Sequence, residues 1–389
     1  MSRTAPAIDC DFANEVLQHL VRTNSVNLSL VPGAPGEAGV AEVTAQFLGQ
    51  IGLDVARHEP QPGRPSIVGR LAGTGGGKSL MLNAHFDTVG VEGMADAFSG
   101  EIREGRLYGR GAYDMKGALA ACIAAVKALR DSGVRLAGDV LVAAVADEEH
   151  ASIGTQDLIR RYTVDGAIVT EPTSLQLCVA HKGFVWAEVI TRGRAAHGSR
   201  PDLGIDANLR MGRVLQGLET LEHSLRAAHC HRLLGPGSLH AATLHGGTGL
   251  STYAAECRLG IERRTVPGET EAQVLAEIDQ ILDEIRIEDP ALQVERVHLL
   301  TREPFEARAD SALVPAVERA ATAALGAPPE RVGETPWMDA ALLSAVGVDT
   351  VVIGPHGAGA HAAIEWVDLE SVWKLAEILT AAAIEYCGR

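Results

Sequence analysis

Histidines and carboxylates stand in this chain as short groups separated by long apolar stretches. His85 and Asp87 flank Phe86, Asp114 sits in the glycine-rich run 109–117, and Glu148 and Glu149 are adjacent. Glu171 precedes Pro172, and His361 ends Pro355-His356-Gly357-Ala358-Gly359-Ala360-His361. Two imidazoles with three or more carboxylates form the donor set that a pair of zinc-like divalent ions takes. The chemistry open to such a set is metal-assisted hydrolysis.

Each group also has a plainer use. In His85-Phe86-Asp87, residues two apart on a strand share a face, so the Asp87 carboxylate can fix the tautomer of the His85 ring. Asp114 immediately precedes a helical pattern and would serve as its N-cap. The run Gly109-Arg110-Gly111-Ala112-Tyr113-Asp114-Met115-Lys116-Gly117 is more elaborate than a cap requires. Adjacent acids such as Glu148-Glu149 are commonly solvated surface charge. Directly after a buried run, pointing opposite ways on extended backbone, one can bind metal while the other faces a substrate. His356 is an extra histidine and a second-choice ligand.

The elements around these groups explain why they would meet. Apolar residues at helical spacing predict helices over 11–22, 36–51 and 115–130. Short apolar runs predict strands at 79–84, 140–146, 166–170 and 348–353. Helices alternating with near-continuous apolar strands imply a doubly wound α/β layer fold. Ligands of such sheets bind beyond the carboxyl ends of the strands. His85, Glu148-Glu149, Glu171 and, through a glycine-rich loop, His361 all follow predicted strands. Four segments therefore bring metal-type ligands to one sheet edge. Between them, strands at 184–191, 238–244, 257–265 and 292–299 with helices at 206–227 and 270–285 give the order β-α-β-β-α-β of a ferredoxin-like module. The expected division is a catalytic domain of 1–181 and 299–389 with an inserted α+β domain of 182–298.

Composition narrows the function. At 389 residues the chain exceeds one comfortable core. Its net charge of −16, from 50 acidic and 34 basic residues without a basic run, disfavours nucleic acid as a partner. Six scattered cysteines without a C-x-x-C argue against a disulfide framework and a thiolate zinc site. No stretch reaches the roughly 18 apolar residues of a membrane span, and the first ten residues lack a signal-peptide pattern. A cytoplasmic enzyme is the expectation.

The same motifs, in the same order over nearly the whole chain, resemble those of the M20 peptidases and deacylases, the group of acetylornithine deacetylase, succinyl-diaminopimelate desuccinylase, aminoacylase-1 and carboxypeptidase G2. They are Asn83-Ala84-His85-Phe86-Asp87-Thr88-Val89, the run 109–117, Asp147-Glu148-Glu149, Thr170-Glu171-Pro172-Thr173, Ala195-Ala196-His197-Gly198-Ser199-Arg200-Pro201 and 354–361. The resemblance implies a zinc-binding α/β domain with an inserted lid that dimerises. It implies two Zn2+ ions, with Co2+ or Mn2+ as possible substitutes, bridged by Asp114. His85 and Glu171 would complete one site, Glu149 and His361 the other. Glu148 would be the general base, Asp87 would orient His85, and His197 would reach the partner subunit's active site. Arg264 would hold a substrate carboxylate. Ser251 stands near the position where the family usually has asparagine, which weakens any transfer of substrate contacts.

The implied activity is removal of the acyl group from an N-acyl amino acid, as in acetylornithine deacetylase. The alternatives are a dipeptidase or carboxypeptidase on the same metal centre, or a binding protein of the same fold. Two further groups look chemical and are read otherwise. Residues 73–79 mimic a phosphate loop but precede a strand and lack the first glycine, so they are a turn. His229-Cys230-His231 follows a predicted helix and is read as helix-end polar residues. Trp337-Met338-Asp339 either walls the substrate pocket or starts a helix over 340–345.

Overall fold

A computed structural model describes residues 6–228 and 230–388. Leu80–His85 and Val140–Val145 run parallel, with Leu80 opposite Val140 and His85 opposite Val145. Gly166–Val169 continues the parallel set beside Leu80–His85, and Asp349–Val352 beside Gly166–Val169. All four strands are buried along their whole length. That is why they read as near-continuous apolar runs: a parallel strand is covered on both faces. Ser66–Leu71 and then Asp54–His58 extend the sheet antiparallel on the Val140–Val145 side.

One sheet face, carrying Leu80, Leu82, Ala84, Val140, Val142, Ala144, Ile168 and Val351, enters the main core. The helix Gly117–Asp131 lies in that core and packs against Cys10–Arg22 and Leu369–Cys387. Its alanines let neighbouring helices approach closely while Leu119, Ile123, Val126 and Leu129 fill the space between. The other face meets Ile153–Arg161, where Asn83 donates to the Thr155 hydroxyl at 3.2 Å.

A small antiparallel sheet joins Glu101–Arg103, Arg106–Tyr108, Trp366–Asp368 and Gly357–Ala358. It matters for the site because it sets the run 109–117 beside the loop that carries His361. The Gly109 N–H donates to the Glu365 carbonyl at 3.1 Å.

These elements form one compact unit of residues up to Val179, Ala307–Val332 and Met338 onward; the other holds Ala180–Glu306 and Gly333–Trp337. The second unit is longer than the expected 182–298. Its last strand, Gln293–Arg302, runs beyond 298, and Ala180 and His181 pair with Glu306 and Phe305. Its sheet has the order Ser238–Gly246, Glu256–Thr265, Gly183–Arg192, Gln293–Arg302, all antiparallel. Ala207–Ala227 and Glu271–Glu288 complete the ferredoxin-like order. Glu256–Thr265 alternates strictly, with Cys257, Leu259 and Ile261 packed in one core with Met211, Val214, Leu218, Ile278 and Leu282 from the two helices. All six cysteines are free thiols. Among the described residues, no helix is long and apolar enough to cross a membrane.

Candidate metal centre

The parallel register carries the site. Because Leu80–His85, Val140–Val145, Gly166–Val169 and Asp349–Val352 point the same way, the segments that leave them emerge at one edge. There the His85 Nε2 lies 3.1 Å from Asp114 Oδ1, 3.6 Å from Glu171 Oε1 and 4.0 Å from Glu148 Oε2. His361 Nε2 lies 3.0 Å from Glu149 Oε2 and 3.4 Å from Asp114 Oδ2. The two Asp114 oxygens thus face one imidazole each. Two overlapping donor groups result, His85 with Glu148 and Glu171, and His85 with Asp114 and Glu149, each with its ligand atoms within 4.8 Å of one another. All belong to the first unit.

The electrostatics fit cations. Four carboxylates face two imidazoles in a mostly buried space. Burial pushes Glu171 up to about 8, with Asp114 and Glu149 adding to the rise and His85 opposing it. Burial and then the Glu171 charge push Glu148 well above the usual carboxylate range. Burial also disfavours charge on Asp114, but hydrogen bonds from His361 and His85 outweigh it and hold that carboxyl well below its ordinary value. Hydrogen bonds to Asp114 and Glu149 raise His361 to about 10. Excess buried negative charge, with oxygen and imidazole nitrogen donors converging, is the environment that divalent ions relieve.

The second layer of contacts differs in detail from the sequence expectation. His85 Nδ1 lies 3.0 Å from the backbone carbonyl of Asp87 and 3.7 Å from its carboxylate. The Asp87 carboxylate is occupied elsewhere. It accepts the backbone N–H of Glu148 at 3.1 Å and of Glu149 at 3.3 Å, and the side-chain amide of Asn27 at 2.8 Å. The Asp114 loop is held by Glu365, which accepts the N–H groups of Gly111, Tyr113 and Asp114 and pairs with Arg110 at 2.6 Å. Sequence reasoning passed over Glu365. An arginine between two glycines at 109–111 was the signal, since a buried guanidinium demands an acid.

His356 lies apart from these donors: its Nδ1 is 3.2 Å from the Ser174 hydroxyl and its ring packs edge-on against Trp366. Asp339 begins the helix Ala340–Ala345, is buried, and accepts the Thr155 hydroxyl. Trp337 belongs to the second unit, with its indole N–H donated to the Glu303 carbonyl. Residues 73–75 direct their N–H groups to Asp139, Leu136 and Ala137, as a turn does. His231 lies 3.2 Å from Glu306, Cys230 is exposed, and His229 lies outside the described residues.

Three expected site residues lie in the second unit. His197 is exposed, with Nδ1 2.8 Å from the Ser199 hydroxyl. Ser251 meets the same loop, its carbonyl accepting the Gly198 N–H at 2.7 Å. Arg264 donates from Nε to Glu262 at 2.7 Å and lies over the Phe184 ring.

Comparison with known proteins agrees with this architecture. The N-formyl-4-amino-5-aminomethyl-2-methylpyrimidine deformylase of Bacillus subtilis (strain 168) is 28% identical over 96% of this chain and 95% of its own. The acetylornithine deacetylase of Myxococcus xanthus is 28% identical over 100% of both. Aminopeptidase PepT from Bacillus cereus superposes with a TM-score of 0.80 at 17% identity, covering 97% of this chain and 99% of that one. The YXEP protein of Bacillus subtilis, described as a dinuclear metal-binding peptidase, gives 0.76 at 14% identity, covering 98% and 100%. At these identities the solved structures share the fold. The model of peptidase family M20/M25/M40 matches residues 81–385, and the chain belongs to that family.

Proposed function

We propose that this amide-cleaving M20 hydrolase is a two-metal deacylase that removes the acyl group from an N-acyl amino acid, in the manner of acetylornithine deacetylase. The observation that carries it is Asp114, with one carboxylate oxygen toward each imidazole and glutamates beside both. His85, Asp114 and Glu171 would hold one ion; Asp114, Glu149 and His361 the other. Zinc suits these donors, and cobalt or manganese would substitute. Bound divalent ions supply Lewis acidity, which makes water acidic enough to lose a proton near neutral pH.

Glu148 serves as general base. It takes a proton from water as oxygen attacks the amide carbon, and returns it to nitrogen as the C–N bond breaks. Its N–H is fixed by Asp87, so its carboxylate is presented beside His85 and Glu171. Arg264 binds the carboxylate of the amino acid, since a guanidinium fork matches a carboxylate, and Ser251, whose loop meets that of His197, adds a shorter polar contact to the substrate. The protein works as a cytoplasmic homodimer through the inserted domain. Among the described residues, Ser238–Gly246 has a sheet partner on one side only, and its residues 240–246 are exposed. His197 of one subunit stabilises the oxyanion in the other.

Two 28%-identical relatives are named for acyl removal, one a deacetylase and one a deformylase. This favours deacylation over dipeptide cleavage. The test is elemental analysis with a panel of N-acetyl and N-formyl amino acids and dipeptides, before and after chelation. Glu148→Gln should lower kcat about 10²–10⁴-fold while metal content stays at the wild-type value. Near-normal turnover in that variant ends the assignment of Glu148, and preferential cleavage of dipeptides ends the deacylase reading.

A further inference from the structure

Behind the Glu148-Glu149 turn lies a sealed polar cluster that touches no candidate metal donor through its side chains, the Asp87 carboxylate excepted. Asn27, Glu37, Arg64, Asp87 and Asp147 are all at most 2% exposed. Asn27 stands at its centre. Its amide nitrogen donates to Asp87 at 2.8 Å and to Asp147 at 3.0 Å. Its oxygen accepts from Arg64 at 3.1 Å and from the Ser29 N–H at 2.9 Å. Arg64 grips Glu37 with two bonds of 2.7 Å, donates to the Ser29 hydroxyl at 2.9 Å, and pairs with Asp147. Asp147 has φ +70°, a left-handed conformation tolerated best by Gly, Asn and Asp. Its carbonyl accepts the N–H groups of His150 and Ala151 and so folds the turn.

We propose that Asn27 and Arg64 are positioning residues that set the Glu148-Glu149 turn. The proposal rests on the reading of Glu148 as base and Glu149 as ligand. Two carboxylates control that turn: Asp87 receives its two leading N–H groups, and Asp147 starts it. Left alone, two buried carboxylates repel. Asn27 ties them together with the two hydrogens of one amide, and Arg64 neutralises Asp147 from behind while Glu37 fixes its plane. The distance between Asp87 and Asp147, and hence the aim of both glutamates, is set by a side chain that touches neither substrate nor metal. Partners of this kind are worth about 10- to 100-fold in activity, and small misplacements of reacting groups cost as much.

Asn27→Asp keeps the shape and removes both donors. Arg64→Lys keeps the charge and loses the planar fork that spans Glu37 and Asp147. In full-length, metal-reconstituted protein each should lower kcat about 10- to 100-fold with little change in KM. In metal-free protein, hydrogen exchange at the Glu148 and Glu149 amides should accelerate while Leu80–His85 stays protected as in the wild type. A folded variant with wild-type kcat, or exchange that accelerates evenly through the sheet, overturns the proposal. So does rapid exchange of those two amides in the wild type, which needs no variant to fold. An active Glu148→Gln would instead overturn the reading of the base, whatever Asn27 does. An inactive Glu148→Gln beside a fully active Asn27→Asp removes the positioning role alone.

Discussion

At the scale of single residues, the metal-free centre is a proton store. His361 holds its proton up to about 10 and Glu171 up to about 8, both above their ordinary 6.5 and 4.5. Each therefore binds its proton more tightly folded than unfolded, and the stability each contributes in the metal-free protein falls as pH rises through those ranges. Metal requires the same groups unprotonated. Binding should release protons at pH 7, and affinity should rise with pH. Calorimetric titration in two buffers of different ionisation enthalpy measures the release, and equal heats in both would contradict it. The candidate donors stood out in sequence because His85, Glu148, Glu149, Glu171 and His361 follow apolar strands and Asp114 lies in a run more elaborate than a cap requires. Asn27, Arg64 and Glu37 did not. Their partners lie far along the chain, as with Asn27 and Asp147, 120 positions apart, and no local pattern marks such a pairing.

At the scale of elements, the ends of strands have little room to move. A Cβ at Gly354 would lie 2.0 Å from the Glu171 carbonyl oxygen and 2.5 Å from that of Thr170, both backbone atoms. Gly354→Ala must shift one strand end against the other. It should destabilise the fold by about 1–3 kcal/mol and weaken metal binding through displacement of Glu171. Thermal melting with and without metal tests both, and an unchanged metal-induced shift would show that Glu171 has not moved. The long apolar strands and helices were readable because burial on two faces or one writes a distinct period. The small sheet of Glu101–Arg103, Arg106–Tyr108, Gly357–Ala358 and Trp366–Asp368 was not. Two or three residues cannot carry a period, and the pairing of Arg106–Tyr108 with Trp366–Asp368 across some 260 positions is set by the packing of Leu107 and Val367.

At the scale of the whole molecule, the expected dimer makes a prediction that one chain cannot satisfy. Leu244 is 53% exposed on the edge strand Ser238–Gly246. Leu244→Lys should convert dimer to monomer in sedimentation and lower activity in parallel, because a charge on an exposed edge opposes strand pairing. Mixing a His197→Ala subunit with a Glu148→Gln subunit should restore part of the activity, since one of the two sites then has both groups. No recovery in a verified mixed dimer would end the cross-subunit role. The order of a ferredoxin-like insert was legible from its helix and strand periods, whereas its limits were not. They depend on how far Gln293–Arg302 extends and on the pairing of His181 with Phe305, and hydropathy does not record either. The first unit is also assembled from separate stretches of chain, and Asp349–Val352 fills its place beside Gly166–Val169 only after the insert has been made. On the ribosome, then, the nascent polypeptide carries His85, Asp114, Glu149 and Glu171 for the time needed to translate nearly two hundred further codons before His361 emerges, so a premature stop in that interval leaves a polypeptide with half a cation trap and a sheet missing an interior strand.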